Sequence, residues 1–347
     1  MLMTLRLEPQ ERETVTGLLT DIQETYTAPD APAFLDDAAL IAHDLPRRLR
    51  AALHTFRSPA PAAPRAPRSG AAVLLVAGNE VDDEGIGPTP PHWREKSPAG
   101  AARRTEFLLV LYSSLLGEVY GWATQQDGRL VHDILPIAGQ EDAQLGSGSR
   151  APLMWHTEEA FHPHRADYVG LLCLRNPDRV GTTVGAVDLA ELTADDLECG
   201  FAPRFYIRPD TSHLPEQNRS PAGEEGARSF DRILHMDSAP EPIPILFGDP
   251  ADPFLRIDPA YMYTAPGDDR AEGTLKRVMS SIEKSLLNVR LEPGTCCFVD
   301  NYRAVHGRAR FRARYDGTDR WLKRVSITRD LRRSAGERAG PGGRLMA

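Results

Sequence analysis

The chain has 347 residues, 41% hydrophobic and 26% charged, with a formal net charge of −8. Composition is ordinary for a globular protein, and the length suits one large domain with elaborations or two small ones. The acidic balance argues against a broad nucleic-acid surface, and no apolar run reaches the roughly 18 residues of a membrane span.

The opening M-L-M-T-L-R-L-E-P is short and soon charged, unlike a signal peptide. Residues 8–24 and 36–54 are predicted helices. Val15, Leu18, Leu19 and Ile22 recur at helical spacing, and Pro32 with Asp36 and Asp37 suits the entry to the second helix. Pro46 kinks or splits that helix. Residues 57–69 form a stiff proline-rich link, and the strand at 71–76 after it enters the main core. Residues 81–91 are turn-rich.

A long helix is predicted over 103–119, with Phe107, Leu108, Val110, Leu111, Leu115 and Leu116 on one wide face. Strands follow at 130–135, 168–174, 205–207 and 243–247. Residues 209–229 are polar with little periodicity and long enough for a lid. A helix over 269–289 and strands at 296–299 and 321–328 complete the pattern. The Gly-, Arg- and Ser-rich tail from 334 is predicted to be disordered. These elements fit an antiparallel barrel or sandwich with helices outside. There is no βαβ alternation and no nucleotide-binding glycine motif. Cys173, Cys199, Cys296 and Cys297 match neither a disulfide scaffold nor a zinc motif, and a reducing cytoplasm is the expected home.

The run P-L-M-W-H-T-E-E-A-F-H carries His156 and Glu158 two residues apart; His306 and Arg320 lie far downstream. In an extended strand, a two-residue offset projects to one side. Two imidazoles and a carboxylate are the facial set that holds ferrous iron and leaves positions open. An H-x-E spacing also arises by chance, and His162 and His164 compete as ligands on spacing alone.

Several runs, spread over most of residues 75–330, resemble the clavaminate-synthase-like iron(II)/2-oxoglutarate oxygenases, especially the hydroxylases of free amino acids. They are G-W-A-T-Q-Q-D-G at 121–128, Q-L-G-S-G-S at 144–149, H-T-E-E-A-F-H at 156–162, R-A-D-Y-V-G-L-L-C-L-R-N-P-D at 165–178 and D-G-T-D-R-W-L-K-R-V at 316–325. The resemblance implies a mainly β fold with surrounding helices around a double-stranded β-helix (jelly roll, cupin-like) core. One catalytic domain would occupy 1–333, with N-terminal helices at 8–54 and the core at about 70–330.

By the same resemblance, His156, Glu158 and His306 hold Fe(II), and Glu159 is a decoy turned away. Arg320 grips the distal carboxylate of 2-oxoglutarate, aided by Thr183 or, as the alternative, Thr182. Gln125, or else Gln126, positions the substrate amino group, with Leu145 and Ser147 lining the same end. Arg324, four residues after Arg320 and on the same side of a strand, takes the substrate carboxylate. Asp268 and Asp269 would face a guanidinium, against the plain alternative of a turn and helix cap. Arg208, Asp210 and Ser212 belong to the closing segment.

The implied reaction consumes dioxygen and 2-oxoglutarate and releases succinate and CO2. It hydroxylates an unactivated carbon of a free basic L-amino acid, arginine favoured, at C3 or secondly C4. Lysine, citrulline, a carrier-bound amino acid or ligand binding without turnover are the alternatives. No side chain is assigned as general base, and neither nucleic acid nor membrane is expected as a partner.

Overall fold

The computed structural model describes residues 1–58, 70–95, 100–218, 224–339 and 343–347. In chain order the elements begin with β1 (Leu2–Arg6), α1 (Pro9–Thr25), α2 (Pro32–Ile41), α3 (Arg47–Arg57), β2 (Val73–Ala77), α4 (Gly100–Ser113), β3 (Glu118–Trp122), β4 (His132–Ile134) and β5 (Leu153–His156). Then follow β6 (Tyr168–Arg175), β7 (Gly181–Gly185), α5 (Ala194–Gly200), β8 (Phe205–Ile207), α6 (Glu224–Ser238), β9 (Leu246–Asp249), β10 (Asp252–Leu255) and β11 (Met262–Thr264). The last are α7 (Asp269–Ser285), β12 (Leu287–Arg290), β13 (Cys296–Asp300), β14 (Val305–Arg308), β15 (Trp321–Thr328), β16 (Arg338–Ala339) and β17 (Leu345–Met346).

Two sheets carry the fold. The larger runs β1-β2-β13-β6-β15-β3-β17-β16, with β4 also on β15; the smaller runs β12-β7-β14-β5. Strand alternation gives the larger sheet two apolar faces. Leu74, Val76, Leu172, Phe298 and Val325 pack with residues of α1–α4 in one core. Val73, Leu75, Val169, Leu171, Val299 and Leu322 pack with Val184 and Val289 of the smaller sheet in another. A strand buried on both faces needs an unbroken apolar run, which is why Val73–Ala77 reads V-L-L-V-A.

Several expectations change. Pro46 splits the predicted helix 36–54: it precedes α3 with ψ 136, outside helical geometry, and the first half starts earlier, at Pro32. The opening segment forms β1, parallel to β2. The helix predicted to 119 stops at Ser113, and 118–122 become a strand paired with β15. Residues 224–229, expected as loop, begin α6. The helix predicted to 289 ends at Ser285, and Leu287–Arg290 pair with β7. The tail expected to be disordered instead folds back over its described residues. β17 runs parallel to β3, and Met346 is 1% exposed. Within the proline-rich link, 59–69 lie outside the described residues. All four cysteines are free and buried.

Candidate active site

The antiparallel register of β14 against β5 places His306 directly opposite His156. Their rings lie 4.7 Å apart between centroids. β5 ends at His156, so Glu158 is brought in by a turn and not by strand alternation. Thr157 anchors that turn: its N–H donates to the Ile257 carbonyl at 2.8 Å. Asn301, fully buried, clamps the next residue. It accepts from the Glu158 N–H at 2.7 Å and donates to the Glu158 carbonyl at 3.0 Å. Glu159 takes a left-handed φ of 53°, and its carboxylate turns to the Tyr120 hydroxyl at 3.1 Å. It is thus the decoy expected, through a turn.

His156, Glu158 and His306 form the one metal-type group among the described residues, with ligand atoms all within 4.8 Å of one another. Glu158 Oε2 lies 3.1 Å from His306 Nε2 and 3.8 Å from His156 Nε2. It is buried yet accepts no hydrogen bond. His156 Nδ1 lies 2.8 Å from the Met154 carbonyl, which can only accept, so the neutral ring keeps its Nε2 lone pair free. Burial alone would raise the Glu158 carboxyl. Arg324 and the two imidazoles overcome it and hold the group well below the usual carboxylate range. This donor set fits a divalent cation. His162 and His164 instead reach Glu337, at 3.3 and 3.2 Å.

Along β15 Leu322 and Arg324 face one side and Trp321 and Lys323 the other, and Arg320, immediately before the strand, joins the first set. Arg320 and Arg324 both line the cavity that contains the metal group, while Lys323 pairs with Glu106 of α4. Arg320 is 6% exposed and has no carboxylate within ion-pair distance among the described residues. Burial lowers its pKa to about 10. A buried guanidinium without a counter-charge fits an anionic co-substrate. Its Nη2 donates to Thr182 Oγ1 at 3.2 Å. Thr182 and Thr183 alternate across β7, and only Thr182 lines the cavity, so the preference for Thr183 is corrected.

Arg324 donates to Glu158 Oε1 and, through Nη2, to Gln125 Oε1 at 2.8 Å and His132 Nδ1 at 2.8 Å. Gln125 Nε2 donates to Ser212 Oγ at 2.7 Å, joining this end to the predicted closing segment. Gln126, Leu145, Ser147, Asp210 and Ser212 also line the cavity. Gln126 spends its amide on the Asp133 backbone, at 2.9 and 3.0 Å, which favours Gln125 as the polar contact. Arg208 turns outward to Asp237 of α6 at 2.8 Å and is not at the site.

Asp268 and Asp269 are not at the cavity either. Asp268 caps α7, accepting from the Ala271 N–H at 3.1 Å, and pairs with Arg204 at 2.8 Å; Asp269 opens the helix. The alternative reading as turn and cap is the one the fold realises. Besides Glu158 and Glu159, the cavity is lined by the carboxylates of Asp133, Asp210 and Asp258; Asp133 is spent on the Trp321 indole and Lys323, which leaves Asp210 and Asp258 for a ligand. Asp258 is buried, and burial, countered by His156 and reinforced by Asp210, pushes its carboxyl up to about 6. Sequence reasoning missed Asp258, His132 and Asn301. None has a local signature; only Asn301, within D-N-Y-R-A-V-H, sits near a recognised ligand.

A mainly β fold that sets two imidazoles and one carboxylate on one face, beside an uncompensated buried arginine, defines the non-haem iron oxygenase class. The chain belongs to the taurine catabolism dioxygenase TauD, TfdA family, whose model matches residues 105–326. It is 42% identical to the enduracididine beta-hydroxylase of Streptomyces hygroscopicus, over 96% of each chain. It is 40% identical to the L-ornithine/L-arginine 3-hydroxylase of Catenulispora acidiphila, over 99% of each. A solved structure of the non-heme iron oxygenase OrfP, in complex with Fe, succinate and (3S)-hydroxy-L-Arg, superposes with a TM-score of 0.92 at 42% identity, over 99% of each chain.

Proposed function

We propose that this protein is an iron(II)- and 2-oxoglutarate-dependent hydroxylase of free L-arginine, acting at C3, with C4 the second candidate. The observation that carries the reading is one cavity holding four kinds of group: the metal triad, an uncompensated Arg320, a second arginine at Arg324, and the carboxylates Asp210 and Asp258. The similarity to an arginine 3-hydroxylase and to OrfP with bound hydroxy-arginine supports the same substrate class.

His156, Glu158 and His306 hold the iron. With 2-oxoglutarate and dioxygen, it supplies insertion of one oxygen atom into a C–H bond, with release of succinate and CO2. The protein's part is binding and orientation. Arg320 and Thr182 take the distal carboxylate of 2-oxoglutarate. Arg324 takes the substrate carboxylate, and Gln125 the amino group. Asp210 and Asp258 meet the guanidinium with charge-assisted hydrogen bonds. The segment around Asp210 and Ser212, tied to Gln125, excludes water over the bound amino acid.

The two packed sheets are read as a double-stranded β-helix, with the metal triad at one end of the smaller sheet. The N-terminal helices and both sheets serve one catalytic domain. No described helix is long and apolar enough to cross a membrane, and the four free cysteines suit a cytoplasmic enzyme. Mass spectrometry tests the function. Iron-loaded protein with 2-oxoglutarate and L-arginine is expected to add one oxygen to arginine and form succinate in equal amount. Absence of 2-oxoglutarate consumption with arginine, ornithine, lysine and citrulline alike would reject the substrate class.

A further inference from the structure

β4 lies against β15 so that His132 and Arg324 are direct cross-strand partners. Side chains of such a pair stand on the same face of the sheet, within reach of each other. His132 is 4% exposed, and both ring nitrogens are engaged. Nε2 lies 2.9 Å from the Arg129 carbonyl, and Nδ1 lies 2.8 Å from Arg324 Nη2. A carbonyl only accepts and a guanidinium only donates. One form satisfies both contacts: the neutral ring with hydrogen on Nε2 and a lone pair on Nδ1. Burial, and next the charge of Arg324, hold the His132 pKa well below its ordinary value, which agrees with that form.

The consequence lies at Arg324. Its Nη2 carries two hydrogens, and His132 and Gln125 each accept at 2.8 Å. Both acceptors are neutral, so they orient the guanidinium without cancelling its charge. Among the described residues the one carboxylate on it is Glu158, whose Oε2 faces the imidazoles. Arg324 Nε is buried without a hydrogen-bond partner.

We infer that His132 is a positioning residue that holds Arg324 oriented for the carboxylate of the amino-acid substrate while adding no counter-charge of its own. This rests on the reading of Arg324 as the carboxylate anchor. It assigns a specificity role to a residue that is not among those lining the cavity. A protonated His132 would place a second cation against Arg324, and an apolar side chain would leave Nη2 with one acceptor fewer.

The test compares His132→Asn with His132→Leu. The two replacements share the same branching at Cγ and the same number of side-chain heavy atoms, and the Asn oxygen falls close to the position of Nδ1 and can accept from Arg324. His132→Leu is expected to raise the KM for L-arginine about tenfold, the scale of a lost hydrogen bond to a charged group. His132→Asn should stay within about threefold of the parent. In both, the KM for 2-oxoglutarate, served by Arg320, should hold.

L-Arginine amide separates the two layers of the argument. Equal turnover of acid and amide by the parent enzyme would refute Arg324 as the carboxylate anchor. A parent preference for the acid that survives unchanged in His132→Leu would refute only the role of His132. So would equal loss in both variants, or a parallel rise in the KM for 2-oxoglutarate. Calorimetric binding of L-arginine to the anaerobic holoenzyme should follow the same order without turnover. Should the variants not fold, nitrogen NMR of the full-length, histidine-labelled parent chain reads the tautomer directly. A ring protonated at Nδ1 at neutral pH would overturn the inference.

Discussion

Removing one negative charge from the cavity is the sharpest test of substrate class, and the fold supplies its own control. Asp258→Asn deletes the charge of a buried cavity residue, whereas Asp268→Asn deletes that of the α7 cap. Two unit charges about 4 Å apart attract by about 4 kcal/mol at an effective dielectric near 20. A retained amide oxygen still accepts a hydrogen bond, so the net loss is about 2–3 kcal/mol, the worth of the charge-assisted part. That corresponds to roughly a 30- to 150-fold rise in the KM for L-arginine. Asparagine caps helices as well as aspartate, so Asp268→Asn should leave the KM unchanged. The assay is succinate formation with L-arginine and with L-citrulline, whose urea is neutral. The preference for arginine should collapse in Asp258→Asn and persist in Asp268→Asn. A larger effect from Asp268→Asn, or an undiminished preference in Asp258→Asn, would refute the placement of the guanidinium.

Other outcomes follow from the same geometry. Protonation of Asp258 removes the charge that meets arginine, and its carboxyl lies at about 6. The KM for arginine should therefore rise as pH falls through about 6 while that for citrulline stays flat; parallel profiles would remove Asp258 from the substrate site. Thr182→Val should raise the KM for 2-oxoglutarate about tenfold and Thr183→Val hardly at all; the reverse order would restore Thr183. Asn301→Ala, which frees the Glu158 backbone, should lower iron stoichiometry as measured by metal analysis, without altering any ligand; full occupancy would deny the clamp a role. Met346→Ala should cost about 2–4 kcal/mol, seen as a melting temperature lowered by about 3–5 °C; an unchanged melt would mean that the folded tail adds no stability.

Local chemistry was legible in the sequence wherever neighbouring residues decide it. Periodicity marked α1, and the proline at 46 marked a break, because hydrogen-bond loss at proline needs no tertiary partner. The continuous apolar runs at 71–76 and 168–174 already read as core strands, and the fold buries both their faces. Alternation placed Arg320 and Arg324 on one side before any fold was known. The metal ligands were recognised by residue type and by their resemblance to a family.

Tertiary structure decided the rest, for a physical reason in each case. The aspartates proposed for the guanidinium, Asp210 and Asp258, line the cavity from separate segments, whereas the adjacent Asp268 and Asp269 lie away from it. Pro-Gly-Asp-Asp is a good helix entry wherever it lies, and only packing shows which way it points. Thr182 rather than Thr183 meets Arg320 because the register of β7 against β14 selects the face. Residues 118–119 and 287–289 left their predicted helices because a sheet partner offered their backbone better hydrogen bonds than a frayed last turn. His132 and Arg324 are 192 residues apart in sequence. They become neighbours only when β4 is laid against β15, and that pairing of strands, invisible in either segment alone, sets the direction of the Arg324 guanidinium.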